Sequence, residues 1–149
     1  MLVDRTGSLS RFRAMHLLEC GCMRLIDRVT RAALRAGLGR RGTALIETVG
    51  RKSGQPRITP VTNGLDGDVF WIVTEHGHKA NYVRNIEANP RVRVNAGRGW
   101  RAGTARIVDE DPEGRLGQIV ARDPRTRANA EIVRKTGTEN LVIRIDLDK

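Results

Sequence analysis

The sequence predicts an α+β domain in which about six antiparallel strands form a barrel-like sheet. Short runs that alternate apolar and polar residues indicate strands with one solvated face. Glycine-centred turns at 66–68 and 97–99 separate consecutive runs at hairpin distance, which favours antiparallel pairing. Helical stretches lie before, between and after these runs, which argues against regular βαβ units. Antiparallel strands with short turns tend to close into a barrel, because closure removes exposed sheet edges.

The first predicted element is a helix over about residues 9–38. Its apolar face consists of residues that recur at helical spacing: Leu18, Cys22, Leu25, Ile26, Val29 and Ala33. We expect one domain over residues 1–149, with residues 1–40 as a helical N-terminal extension packed outside the barrel. A basic amphipathic helix can also lie on an anionic membrane, so peripheral membrane contact through this helix stays open.

The remaining elements follow in order. The predicted strands cover residues 44–49, 56–65, 69–74, 91–96, 100–108 and 141–147. The pattern predicts a short helix over 79–87, ended by Asn89-Pro90, and another over about 126–135. Between them, Asp111-Pro112-Glu113 opens a helix with proline at its first position.

The charge of the chain predicts an anionic partner. The formal net charge is +10, which suits nucleic acid, anionic lipid or an anionic small molecule. Aromatic residues make up only 3%, and no helix-turn-helix or RNA-binding signature is evident, so we expect no specific nucleic-acid binding. No apolar run reaches the ~18 residues that cross a bilayer, and no secretory leader is evident. We therefore expect a cytoplasmic protein, with membrane association left open.

Cysteines and histidines do not indicate a metal site. Cys20 and Cys22 flank a single glycine, too close for an ordinary disulfide, and are expected to be free thiols. His76 and His78 lie on a glycine loop without a placed carboxylate, so we expect no metal there. His76 is a candidate proton donor, since imidazole titrates near neutral pH.

The segment from Gly50 to Arg57 is the most informative stretch. Two glycines bound a turn that carries Arg51, Lys52 and Ser53, and Arg57 follows it. Glycines let the backbone turn sharply and expose amide donors, while the cations supply charge. Such a turn suits a phosphate or a series of carboxylates. A solvated basic hairpin turn is the alternative.

Three ordered features give the chain a family resemblance over about residues 44–108. They are Gly50-Arg51-Lys52-Ser53-Gly54 followed by Pro56-Arg57 and Pro60, the Gly67-Asp68 hairpin with its strand to Val73 and the Gly77 loop, and Tyr82 with Asn85 and Ala88-Asn89-Pro90. The chain resembles the deazaflavin-dependent nitroreductase and quinone reductase family of actinobacteria. These are split β-barrel proteins related to the FMN-binding flavin reductases.

The resemblance implies coenzyme F-420 as cofactor, a deazaflavin with a phosphate and a polyglutamate tail. Its cofactor-binding positions correspond here to Arg51, Lys52, Ser53 and Arg57 for the tail, Thr59 and Pro60 beside the ring, Val73, Thr74, Glu75, His76 and Gly77 on the loop, and Tyr82 and Asn85 on the short helix. The implied reaction is hydride transfer from the reduced cofactor to a small apolar acceptor: a quinone, an enone or a nitroaromatic.

The catalytic residues stay open at this stage, with His76 and Tyr82 as candidates, and the chain is expected to be a monomer or a homodimer. An FMN- or haem-binding protein of the same fold is the first alternative. A basic module that binds nucleic acid or a membrane surface is the second.

Overall fold

The computed structural model describes residues 42–149, together with Arg28 and Ala32, which are both helical. Residues 42–149 form a seven-stranded antiparallel sheet that curls into a half-barrel, with three α-helices. This confirms the α+β split-barrel class. The predicted packing of the N-terminal helix, its membrane contact and the state of the two cysteines lie outside the described residues.

The elements run in a simple order. The strands are β1 (Thr43–Val49), β2 (Pro56–Thr62), β3 (Leu65–Asp66), β4 (Val69–Val73), β5 (Arg91–Asn95), β6 (Trp100–Val108) and β7 (Val142–Leu147). The helices are α1 (Asn81–Ala88), α2 (Pro112–Arg122) and α3 (Arg127–Thr136), with short 3₁₀ turns at Gly77–Lys79 and Pro124–Thr126. The strand order across the sheet is β2-β1-β5-β6-β7-β4-β3.

The prediction of six strands was wrong by one, because the run 56–65 serves two different partners. Its first part pairs with β1 and its last part pairs with β4, at the opposite end of the strand order. The change occurs at Gly64, whose carbonyl accepts the N–H of Trp71 at 2.9 Å. A side chain at Gly64 would collide with the carbonyl of Trp71, so only glycine allows this close approach.

Strand β4 is buried on both faces and joins two apolar cores. Phe70 and Ile72 pack with residues of β1, β5, β7 and α1 in one core. Trp71 and Val73 pack in the other, beneath α2 and α3. This explains why the segment reads as a continuous apolar run rather than an alternating one.

The start of α2 agrees with the sequence. Asp111 is the N-cap, its carboxylate accepts the N–H of Gly114 at 2.9 Å, and Pro112 opens the first turn. Within the described residues, none of the helices has the length and apolar character needed to cross a membrane.

Strand β2 forms one open edge of the sheet. In the antiparallel β1–β2 pair, residues alternate between those that hydrogen-bond to the partner strand and those that point their backbone groups away from it. Hydrogen bonds from Asn63 N to Gly42 O and from Gly50 N to Gln55 O show which residues belong to each set. That alternation turns the backbone polar groups of Pro56, Ile58 and Pro60 away from β1. The two prolines lack N–H groups, so this edge is a poor template for a further strand. Residues of β2 also line the cavities that form a groove along this edge.

Candidate functional site

The basic turn between β1 and β2 is tightly closed. Gly50 N donates to Gln55 O and Gly54 N donates to Gly50 O, each at 2.8 Å. Gly54 has a φ of +68°, in the left-handed region that favours glycine. Ser53 Oγ accepts the N–H of Gln55 at 3.2 Å. The local sequence therefore fixes a rigid turn that presents Arg51 and Lys52 outward.

Asn85 on α1 holds this turn from below. Its Oδ1 accepts the backbone N–H of Arg51 at 3.2 Å and a guanidinium N–H of the same residue at 3.1 Å. Its Nδ2 donates to Thr48 Oγ1 at 3.0 Å. Both Asn85 and Thr48 are buried. Asn85 therefore positions the turn, and its direct contact with a cofactor stays a prediction.

The turn and α1 enclose a space of about 370 Å³, which we call the basic cavity. Its lining residues are Gly50, Arg51, Lys52, Ser53, Arg57, Ile58, Thr59, Asn81, Tyr82 and Asn85. Among the described residues, no carboxylate lines this cavity or pairs with its three cations. A cluster of like charges without counter-charges attracts an anion.

Elsewhere in the described chain most arginines are matched by carboxylates. A larger cavity, of about 850 Å³, lies beside α2 and is lined by four arginines. Three of these form ion pairs: Arg115 with Glu110, Arg122 with Asp66, and Arg125 with Asp123. The basic cavity, despite its smaller volume, is therefore the stronger candidate for an anion site.

A second space, the central cavity, continues the groove along β2. Its volume is about 200 Å³, and its lining residues are Thr59, Pro60, Val61, Thr62, Ile72, Val73, Glu75, His76, Ala80, Tyr82 and Val133. Thr59 and Tyr82 line both this space and the basic cavity. The two cavities therefore meet at these side chains, and an extended ligand could occupy both.

Tyr82 is half-buried where the two cavities meet. Within the part of the chain that the structure describes, its hydroxyl has no hydrogen-bond partner. Burial raises the pKa of Tyr82, and the negative charge of Glu75 raises it further. The phenol therefore stays neutral at physiological pH and can donate a hydrogen bond to a ligand.

The structure divides the predicted loop residues into two groups. Val73, Glu75 and His76 line the central cavity. Thr74 and Gly77 are buried and line neither cavity. Thr74 Oγ1 accepts the N–H groups of Gly77 at 3.2 Å and Leu141 at 2.9 Å, and donates to Glu139 O at 3.1 Å. The Gly77 amide is thus already bonded within the protein, and cofactor contact by Thr74 and Gly77 stays a prediction.

The two histidines of the loop have separate partners. His76 Nδ1 lies 3.2 Å from Thr138 Oγ1, and its Nε2 lies 3.8 Å from a carboxylate oxygen of Glu75. His78 Nδ1 lies 2.6 Å from a carboxylate oxygen of Glu87. Only His76 reaches the central cavity, which keeps it as a candidate proton donor.

Sequence reasoning missed Asn81 and Val133. Asn81 Oδ1 accepts a guanidinium N–H of Arg51 at 3.4 Å. It lies four residues before Asn85, so both occupy one helix face, and that spacing could have revealed it. Val133 comes from α3, and no local signal connects that helix with the β2 groove.

The half-barrel and its divided groove define a split-barrel protein with a basic cavity at one end of the groove. The family model of the F420H(2)-dependent quinone reductases matches residues 23–148. The chain therefore belongs to this family, which confirms the resemblance deduced from the sequence.

Individual relatives agree with this membership. An F420H(2)-dependent quinone reductase of Mycobacterium tuberculosis is 40% identical over 81 residues, which cover 51% of this chain and 54% of the relative. The chain thus spans about half the length of this curated relative.

Solved structures share the fold. An F420-H2 dependent reductase has a TM-score of 0.52 and 25% identity over 70% of this chain and 94% of its own. A haem storage protein from Vibrio cholerae has a TM-score of 0.53 and 17% identity over 79% of this chain and 89% of its own. The second likeness concerns the fold alone.

Proposed function

We propose that this domain binds reduced coenzyme F-420 and reduces a small planar acceptor, a quinone foremost. The observation that carries the proposal is a basic cavity that meets, at Tyr82, a central cavity lined largely by uncharged residues. No carboxylate lines the basic cavity in the part of the chain that the structure describes. Family membership supports the same cofactor and reaction.

The residues of the basic cavity fit the anionic part of F-420. Phosphate and glutamate groups carry several negative charges, and Arg51, Lys52 and Arg57 offer matching cations. Arg57 is 3.5 Å from Ser53 Oγ, so its guanidinium points along the turn. Because Asn85 fixes Arg51 in advance, less conformational entropy is lost when an anion binds.

The central cavity fits the ring and the acceptor. Thr59 and Pro60 of β2 line it together with Val73 and Tyr82, and these side chains would hold a flat ring and exclude water. When bound, reduced F-420 supplies the hydride. A quinone that has accepted a hydride needs one proton to become the hydroquinone, and His76, which lines the central cavity, is our candidate for delivering it. The neutral Tyr82 hydroxyl can donate a hydrogen bond to an acceptor oxygen.

FMN is the alternative cofactor, because it also combines a flat ring with a phosphate. A single phosphate needs fewer cations than the three that line the basic cavity. We therefore favour a cofactor with a longer anionic tail.

Partners and location are further proposals. We infer a small apolar acceptor, a monomer or homodimer, and a cytoplasmic protein; peripheral membrane contact through the predicted N-terminal helix stays open. We infer no specific nucleic-acid binding; any binding to duplex DNA should weaken steeply with salt and show no preferred site. A footprint on one DNA sequence at physiological salt would contradict this.

The proposed function is tested by separate spectroscopic titrations of the purified protein with F-420, FMN and haem. We expect saturable binding of F-420 and weaker binding of the other two. Reduced F-420 is then mixed with a quinone under anaerobic conditions, and the return of oxidised-cofactor absorbance is followed. Tight FMN binding without F-420 binding, or no quinone-dependent oxidation, would overturn the proposal.

A further inference from the structure

We propose that Glu75 is a charge filter that makes the acceptor end of the groove reject anionic acceptors. This inference rests on the proposed function, because it concerns which acceptors reach the central cavity. It names a specificity-determining residue that acts through its charge.

Glu75 occupies the point where the groove continues beyond the central cavity. A third space of about 200 Å³, the outer cavity, is lined by Thr43, Pro60, Val61, Thr62, Glu75, Asn129 and Ile132. Glu75 lines both the central and the outer cavity, together with Pro60, Val61 and Thr62 of β2. An acceptor that enters through the outer cavity therefore passes its carboxylate.

In the described part of the chain, no lysine or arginine forms an ion pair with Glu75. Among the described residues that line these two cavities, Glu75 is the one carboxylate, and no lysine or arginine is present. His76 Nε2 lies 3.8 Å from a Glu75 carboxylate oxygen, and the Glu75 side chain is 40% exposed. Besides burial, the Glu75 carboxylate raises the pKa of Tyr82, which also lines the central cavity. The field of this carboxylate therefore reaches the space in which the acceptor would be held.

The groove thus has opposite charges at its two ends. Arg51, Lys52 and Arg57 lie at the basic end, and Glu75 lies at the acceptor end. This polarity directs an anionic cofactor tail to one end and disfavours an anionic acceptor at the other. Apolar side chains such as Val61 and Ile132 favour a neutral acceptor in the same place.

The test compares a neutral naphthoquinone with its sulfonated analogue in the wild type and in Glu75→Gln. Assays are run at pH 8, where imidazoles in general carry little charge. Intrinsic differences between the two quinones cancel when the ratio of their kcat/KM values is compared between proteins. Glu75→Gln should raise the sulfonate-to-neutral ratio about tenfold, as expected for one unit charge removed at close range. High salt should shrink this difference.

Asp68→Asn is the control, since it removes an exposed carboxylate that lines none of the three cavities. Asp68 precedes β4 and Glu75 follows it, so the two carboxylates are separated by the full length of that strand. Asp68→Asn should leave the ratio within about twofold, as expected for surface charges beyond a Debye length. An equal shift in this variant would overturn the proposal, because net charge alone would then explain the effect.

A binding measurement separates this inference from the proposed function. The same two quinones are titrated into cofactor-free protein in excess inorganic phosphate, which competes for the basic cavity. Glu75→Gln should gain affinity for the sulfonate relative to the neutral quinone even if no F-420 activity is found. The charge filter is overturned if neither the kinetic nor the binding ratio shifts by more than about twofold, the scatter expected of a neutral surface change.

Discussion

Asn85 holds Arg51 by both its backbone and its side chain. One amide oxygen accepts the Arg51 N–H at 3.2 Å and the guanidinium at 3.1 Å, while the amide nitrogen is anchored on buried Thr48. A neutral amide at this position orients the cation without cancelling its charge. A carboxylate there would form an ion pair and leave less charge for a ligand.

We predict that Arg51→Ala or Lys52→Ala weakens F-420 binding about tenfold or more. Each charge-assisted contact is worth ~1.5–3 kcal/mol when partly desolvated, and 1.4 kcal/mol is about tenfold in affinity. Fluorescence titration measures the loss, which should be smaller for a cofactor with a truncated tail. Lys135→Ala, an exposed cation outside the cavities, is the control and should bind normally. If the Arg51→Ala/Lys52→Ala double variant bound F-420 with unchanged affinity, the basic cavity would not be the anion site.

Asn85→Ala should lower both stability and cofactor affinity while every cation remains present. Buried Thr48 loses its partner and the Arg51 amide loses its acceptor, so unfolding should become easier by about 1–3 kcal/mol. Denaturant unfolding and F-420 titration measure the two effects. Asn81→Ala, which removes only an exposed contact to Arg51, should change stability by less than about 0.5 kcal/mol. Equal losses in both variants would contradict a positioning role for Asn85.

Thr74→Val should destabilise the loop that borders the central cavity. Valine keeps the shape of threonine but cannot accept the N–H groups of Gly77 and Leu141, so the cost should be about 2 kcal/mol or more. Thr74→Ser keeps the hydroxyl and should retain most of the stability. Thermal unfolding distinguishes them, and a valine variant as stable as the serine variant would show that the hydroxyl is dispensable.

Tyr82 should give a pH-dependent loss of stability at alkaline pH. Burial, assisted by Glu75, raises its pKa in the folded state, so folding favours the protonated phenol. The protonated phenol makes its full contribution to the free energy of unfolding below pH 10.0, the ordinary pKa of tyrosine. This contribution is lost as the pH rises above that value, because the unfolded chain releases the proton first. Urea unfolding at a series of pH values should show a steeper decline for the wild type than for Tyr82→Phe. Parallel pH profiles would exclude the raised pKa.

Much of the site was predictable because its chemistry is local. The basic turn lies within a few residues of sequence, and glycines and cations predict its shape and charge directly. Tyr82 and Asn85 share a short helix, so their common placement follows from helical spacing. By contrast, the outer cavity combines Thr43, Glu75 and Ile132, which lie on three elements distant in sequence. No pattern in the sequence indicates that these three residues line one cavity.

Thr74 illustrates the limit most clearly. In sequence it is one more residue of the loop that the family resemblance assigned to the cofactor. In the structure its hydroxyl joins that loop to Glu139 and Leu141, more than sixty residues later in the chain. Its structural role depends on long-range hydrogen bonds that a linear pattern cannot reveal.

The sequence by itself determined the fold class, the family and the basic turn, because strand alternation, hairpin glycines and clustered charge are properties of neighbouring residues. Only the tertiary structure decided that the run 56–65 divides between the two ends of the sheet, since that depends on the close approach of Gly64 to Trp71. It alone placed Glu75 opposite the cation cluster along one groove. Polarity of that kind arises from distances between elements, and those distances exist only after the chain has folded.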